Sequence, residues 1–164
     1  AIIADRGGET SRPLTEIFSG DGARPLTLDA GQLITGIRCP APPDRSGAAY
    51  IKFRQRATMD YPVVGVAACL ALDKADLTCV DAAIVLTGVA SSPQLVPEAA
   101  ELLGGTITDE KIGHVAGAAS KLSYPVKNVV GSEPGYRRRM VRINVECALH
   151  ESLSIAMTPP EGAP

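Results

Sequence analysis

The sequence AYIKFRQRATMDYPVVGVAACLAL, residues 49–72, carries the clearest structural pattern in the chain. Over residues 49–55 apolar and polar side chains alternate, which is typical of a strand buried on one face. Four side chains make up the polar face and its extension: Tyr50, Lys52, Arg54 and Arg56. They form a cationic row led by an aromatic ring. Such a row fits either an anion-facing surface or an ordinary solvated face.

The segment that follows has no polar face. After a turn around residues 60–62, residues 63–72 (VVGVAACLAL) predict a strand covered on both sides, in the middle of a sheet. Residues 80–90 (VDAAIVLTGVA) predict a third strand. Because the connections are short, we expect the three strands to form an antiparallel meander.

The apolar pattern then changes to helical spacing. Pro97 suits the first position of a helix that ends at Gly104, and Thr108 can cap a second helix. A third helix is predicted with the apolar stripe Tyr136, Met140, Ile143 and Cys147. The arginines of that helix lie largely off this stripe: Arg137, Arg138, Arg139 and Arg142. The predicted fold class is therefore α+β, a three-stranded antiparallel sheet covered by three helices.

Residues 40–47 (PAPPDRSG) are the best candidate for a domain boundary, since three prolines, a charge pair and a glycine fall within eight residues. The short strands predicted in residues 1–40 bury too little to stand alone. We expect them to be the closing strands of a domain whose remainder is missing. Residues 41–47 would then be a linker, residues 48–155 a C-terminal domain and residues 156–164 a flexible tail.

Composition narrows the classes of function. The 164 residues carry a net charge of −2 and 45% apolar residues, so general attraction to nucleic acid or to an anionic membrane is not indicated. No apolar run reaches the roughly 18 residues that cross a bilayer. The four cysteines form no CxxC pair and are expected to be small buried side chains in a reducing, cytoplasmic compartment: Cys39, Cys69, Cys79 and Cys147. A metal site is not predicted.

The chain offers no self-sufficient catalytic site. There is no GxSxG nucleophile motif, and His114 and His150 lie on separate predicted helices without a partner nearby in sequence. We therefore predict no catalytic residue. A role in chemistry would come from holding a cofactor or a partner.

Four motifs occur in an order that resembles a known family: LITGIRCP, YIKFRQRATMDYPVVGVAACL, IVLTGVASSPQLVPEAAELLGG and GSEPGYRRRMV. Together they resemble the C-terminal portion of the FAD-binding (medium) subunit of the molybdenum hydroxylases, the xanthine dehydrogenase and carbon monoxide dehydrogenase family. The resemblance covers nearly all of residues 1–155.

The resemblance implies a FAD-carrying electron-transfer subunit that passes electrons from iron–sulfur clusters to an external acceptor. It implies that Lys52 approaches the flavin ring, that Ile34 packs on the ring system, and that Met59 lies near a ring-shielding position. FAD would be held mainly by glycine-rich loops upstream of Ala1, which this sequence does not contain. The molybdenum cofactor would belong to a large partner subunit and the iron–sulfur clusters to a small one, with no nucleic acid and no membrane span.

Two alternatives remain open at the level of sequence. The chain could be a non-enzymatic assembly module with the same fold and no flavin. It could also be an anion- or nucleic-acid-binding domain that uses the cationic row, although the acidic overall balance counts against this.

Overall fold

A computed structural model of the chain describes residues 1–56, 59–125 and 133–158. The chain divides into two compact units, Ala1–Pro42 and Pro43–Pro164, and each is considered by itself. In the described residues no helix is both long and apolar enough to span a membrane.

The first unit is a small antiparallel sheet. Its strands are β1 (Ile2–Asp5), β2 (Gly8–Ser11) and β3 (Leu33–Gly36), in the order β2-β1-β3. A 3₁₀ helix, Leu14–Ile17, follows the hairpin. Only two side chains of this unit are fully buried, Ile3 and Ile17.

The second unit has a four-stranded antiparallel sheet in the order β4-β5-β6-β7. Its strands are β4 (Ser46–Phe53), β5 (Val64–Leu72), β6 (Cys79–Thr87) and the short β7 (Gln94–Leu95). The three long strands are consecutive in the chain and follow the predicted meander.

Three helices follow, as the sequence predicts. They are a 3₁₀ helix (Pro97–Leu102), α1 (Asp109–Leu122) and α2 (Pro134–Met157). The side chain of Thr108 caps α1 by accepting a hydrogen bond from the Lys111 N–H. Helix α2 packs on β4 and β5, and α1 packs on α2, so the helices form a layer over the sheet. The predicted α+β fold class is confirmed.

Helix α2 lies unusually close to β4 at Gly47. A Cβ atom built on Gly47 would lie 2.7 Å from the Ala156 nitrogen and would also collide with the Ser152 carbonyl oxygen. Only a glycine therefore allows this approach. The hydroxyl of Ser152, which is fully buried, lies within hydrogen-bonding distance of two carbonyls, Ala148 on the same helix at 2.7 Å and Ala68 on β5 at 3.1 Å. These contacts fix where the helix crosses the sheet.

The prediction that β5 lies in the middle of the sheet is confirmed, whereas the prediction that it is covered on both faces holds only in part. Its helix-facing side chains are buried, including Val64, Val66 and Leu70, each at 0% exposure. On the opposite face Ala71 is buried, Ala67 is half-buried and Cys69 is exposed. Small apolar side chains tolerate exposure, so the absence of polar residues did not indicate a second covering layer.

Of the four residues in the predicted stripe of α2, only Met140 packs against the core, so most of that stripe is wrong. Tyr136 is 39% exposed, Ile143 is 48% exposed, and Cys147 is exposed as well. The buried face lies about one residue further along and consists of Arg137, Val141, Asn144, Val145, Ala148, Leu149, Ser152 and Ala156. This face includes polar side chains that find main-chain partners, which hydrophobicity alone does not detect.

Two further expectations concern the burial of the cysteines and the C-terminal tail. Of the four cysteines only Cys79 is buried, because the others lie on exposed positions of loops, strands and helices. Helix α2 continues to Met157, into the predicted tail, and residues 159–164 of that tail lie outside the described residues.

Candidate functional site

Lys52 is placed by the alternation of β4. The inward side chains of this strand face the helices, whereas Tyr50, Lys52 and Arg54 are exposed on the outer side. In the pairing of β4 with β5, Lys52 lies opposite Gly65. In the described part of the chain, no carboxylate forms an ion pair with Lys52. Its ammonium group therefore has no counter-ion among the described residues.

An open cavity of about 480 Å³ lies beside this lysine. The described residues that line it come from the end of β4 and the connection to β5: Lys52, Arg56, Met59, Asp60, Tyr61 and Pro62. The Asp60 carboxylate accepts a hydrogen bond from the Arg56 N–H at 3.2 Å. Met59 is 99% exposed and Tyr61 is 91% exposed. The described lining therefore combines two cations with two large and almost fully exposed side chains.

A glycine of the central strand, Gly65, lies opposite Lys52 in the sheet. Gly65 sits between Lys52 on β4 and Thr87 on β6 in the strand register. A Cβ atom at Gly65 would lie 2.9 Å from the Tyr50 hydroxyl and would collide with Thr87 Oγ1. A glycine inside a strand often marks a point of close approach. Here it allows the Tyr50 side chain to lie across the outer face, beside Lys52.

Arg137, at the start of α2, bonds the main chain next to the residues that line the cavity. It is 5% exposed, and its Nε and Nη2 atoms donate to the Val63 carbonyl at 3.2 Å and 3.0 Å. Nη2 also donates to the Gly88 carbonyl. Burial lowers the pKa of the Arg137 guanidinium, yet arginine stays protonated in proteins. The two carbonyls take the place of water around the charge of Arg137. The expectation that Arg137 lies off the buried face of α2 is therefore wrong.

The structure brings together two of the three residues predicted to contact a cofactor. Lys52 and Met59 line the same cavity. Ile34 belongs to the other compact unit, where it is half-buried on β3 and pairs with Ile3 in the register of β1 and β3. The roles of all three stay predictions.

Sequence reasoning missed the contributions of Gly65 and Arg137. The glycine in an otherwise apolar strand was a usable signal for close approach. Arg137 carried no such signal, because three consecutive arginines look alike until the helix is placed on the sheet.

The two histidines form surface pairs. His114 Nδ1 lies 2.7 Å from Glu101 Oε2, and His150 Nε2 lies 3.8 Å from Asp109 Oδ1. Neither pair lines the Lys52 cavity. Within the three described ranges, no group of at least three His, Cys, Asp or Glu side chains is arranged to hold a metal ion.

The comparison with protein families is decisive. The model of the family "CO dehydrogenase flavoprotein C-terminal domain" matches residues 48–152, which include the described lining of the Lys52 cavity, the whole of α1 and most of α2. The chain belongs to this flavoprotein family. The resemblance noted from the sequence motifs is confirmed.

Two characterised relatives extend the match. The chain is 30% identical over 132 residues to the carbon monoxide dehydrogenase medium chain of Afipia carboxidovorans, covering 80% of this chain and 44% of the relative. It is 32% identical over 147 residues to the 6-hydroxypseudooxynicotine dehydrogenase complex subunit alpha of Paenarthrobacter nicotinovorans, covering 89% and 48% respectively. The chain thus spans about half the length of these relatives.

Solved structures show the same fold. A carbon monoxide dehydrogenase from Hydrogenophaga pseudoflava matches with a TM-score of 0.84 at 24% identity, over 94% of this chain and 52% of that one. Quinoline 2-oxidoreductase from Pseudomonas putida 86 matches with a TM-score of 0.81 at 22% identity, over 96% and 53%.

Proposed function

We propose that the chain is the C-terminal part of the FAD-carrying medium subunit of a cytoplasmic molybdenum hydroxylase. In this proposal, electrons reach FAD from iron–sulfur clusters on a small subunit and leave to an external acceptor. The molybdenum cofactor belongs to a large subunit. The main support is one observation: a member of the flavoprotein family carries an exposed lysine, with no ion pair to any described residue, at an open cavity of about 480 Å³.

The residues around this cavity suit a flavin ring. The pyrimidine edge of the ring carries polar atoms on which negative charge develops on reduction, and Lys52 and Arg56 are cations of matching sign. The exposed Met59 and Tyr61 offer a thioether and an aromatic ring to the flat apolar part of such a ring. The fit supports a wall of the cofactor site rather than a complete site.

Each side chain has a separate task in this proposal. FAD, when bound, supplies the ability to take up and release two electrons. Lys52 stabilises negative charge at the polar edge by direct contact. Met59 and Tyr61 exclude water from the ring. The Asp60 carboxylate accepts a hydrogen bond from the Arg56 N–H and so stabilises the main chain of the connection between β4 and β5.

The two compact units are consistent with the proposed domain organisation. The division after Pro42 falls within the predicted linker of residues 41–47, although β4 begins already at Ser46. We propose that residues 1–40 close a FAD-binding domain and that Ile34 packs on the flavin ring from that domain. The matched region, residues 48–152, corresponds closely to the proposed C-terminal domain.

A visible absorption spectrum of the purified complex tests the proposal. The full-length protein should copurify with its partner subunits and show flavin bands, and denaturation should release FAD into the supernatant. A complex that assembles without any flavin would favour the assembly module and would refute the proposed cofactor role.

A further inference from the structure

Arg137 ties together three separate elements at one point. From the first turn of α2 it bonds the carbonyl of Val63, at the entrance of β5, and the carbonyl of Gly88, just after β6. Gly88 has φ +75°, and a Cβ there would lie 3.2 Å from the Pro62 oxygen. Only a glycine lets the two chain segments approach closely enough to share one guanidinium.

Both main-chain polar groups of Val63 are hydrogen-bonded. Its N–H donates to the Phe53 carbonyl at 2.8 Å, and its carbonyl accepts the two bonds from Arg137. Phe53 is the residue after Lys52, and Val63 is the residue after Pro62. The main-chain hydrogen bond between Phe53 and Val63 therefore joins the two ends of the segment that lines the cavity. Arg137 links this point to α2 through the Val63 carbonyl.

A purely stabilising role does not require an arginine here. Burying a guanidinium costs solvation, and well-packed apolar residues often stabilise a core as well as a buried charge does. The planar fork of arginine, however, bonds two carbonyls in a fixed geometry, which an apolar side chain cannot do. This favours a role in orienting the main-chain segments that carry the two carbonyls.

We infer that Arg137 is a positioning residue for the Lys52 cavity. It holds the Val63 carbonyl and so fixes residues 59–63, the closing segment, relative to Lys52. The inference rests on the proposed function only in assigning the cavity to a flavin. Arg137 touches no cofactor itself; it acts through the main chain of the closing segment.

The first test measures the closing segment directly and needs no flavin. Hydrogen exchange is followed in the full-length protein for Arg137→Lys and Arg137→Met, with Arg139→Met as control because Arg139 is exposed on the same helix. Exchange of the Val63 amide, whose N–H donates to the Phe53 carbonyl, should accelerate at least tenfold in both Arg137 variants and stay unchanged in the control. Unchanged exchange in the well-folded Arg137→Lys protein would overturn the inference.

The second test asks whether the effect passes through Lys52. Flavin reduction potentials are measured for Arg137→Lys, Lys52→Met and the double variant. Arg137→Lys should shift the potential in the wild-type background and cause less than half that shift when Lys52 is absent, since neighbouring groups that act together are not additive. Equal shifts in both backgrounds would overturn the inference.

These two tests separate the inference from the proposed function. Faster exchange in the closing segment of a protein that contains no flavin would uphold the positioning role and refute the cofactor assignment. A flavin-containing protein in which Arg137→Lys leaves amide exchange in the closing segment unchanged would refute the positioning role alone.

Discussion

Lys52 is the residue on which the functional proposal depends. Its exposed side chain lies on a strand whose register is fixed along its whole length, from Ser46 opposite Ala71 to Phe53 opposite Val64. A one-residue slip would turn Lys52 into the core, so its outward direction is strongly specified. The position of its ammonium group relative to the cavity is therefore a property of the fold.

We predict that Lys52→Met in the full-length protein lowers the flavin reduction potential. An ammonium about 4 Å from a reduced, anionic ring is worth about 4 kcal/mol at an effective dielectric of 20, and solvent screening reduces this to about 1–3 kcal/mol. For a two-electron couple this corresponds to roughly 20–60 mV. Removing the cation removes stabilisation of the reduced form, so the potential falls.

Lys121→Met is the matched control for this measurement. Lys121 is exposed on α1, in the helical layer, and does not line the Lys52 cavity. Potentiometric titration should give the wild-type value for this variant. An equal decrease in both variants would mean that net charge matters and that Lys52 makes no specific contact.

At the scale of elements, the crossing of α2 over β4 decides the geometry of the domain. Gly47 lies directly under the main chain of α2, near Ser152 and Ala156. Glycines on α1 are in a different situation, because a Cβ at Gly113 would meet no atom within 4 Å. The same substitution should thus have opposite effects at the two positions.

We predict that Gly47→Ala destabilises the domain by about 1–3 kcal/mol or more, since the added methyl group must push helix main chain away from the sheet. Gly113→Ala should stabilise it by about 0.5–1 kcal/mol by lowering the backbone entropy of the unfolded chain. Urea unfolding monitored by circular dichroism measures both. A neutral Gly47→Ala would contradict the close approach of α2 to β4.

Element types were readable from the sequence, whereas the faces of elements were only partly so. The alternation of β4 correctly predicted its buried and exposed sides, because a period of two leaves no other choice. In α2 the largest apolar side chains, such as Ile143, suggested the wrong face. The true face includes Arg137 and Asn144, whose polar groups bond main-chain carbonyls. Such partners exist only after the elements are packed.

The candidate site was predictable to a similar extent. Lys52 and Met59 came from a family resemblance and line one cavity in the structure. The contribution of Arg137 could not be predicted, since its partners Val63 and Gly88 are 74 and 49 residues away in sequence. Long-range contacts of this kind depend on the complete topology.

At the scale of the whole molecule, the hydrophobic core belongs to one of the two units. Every residue of the core cluster lies between Ala49 and Ala156. The unit Ala1–Pro42 buries only Ile3 and Ile17 completely. Chains of this size rarely bury enough apolar surface to fold alone.

We predict that residues 43–164, produced separately, fold and unfold in one cooperative thermal transition. A peptide of residues 1–42 should show no cooperative transition by circular dichroism, since its two buried side chains cannot offset the loss of conformational entropy. A cooperatively folded 1–42 peptide would contradict its assignment to a larger domain.

The distance from Lys52 Nζ to a bound flavin tests the proposed function most directly. It is measured in an experimental structure of the full-length protein with FAD. We predict a nitrogen at hydrogen-bonding distance, about 2.7–3.2 Å, from a polar atom of the isoalloxazine edge. A flavin bound more than about 10 Å away, beyond a Debye length at 0.1 M salt, would contradict the assignment of this cavity to the cofactor.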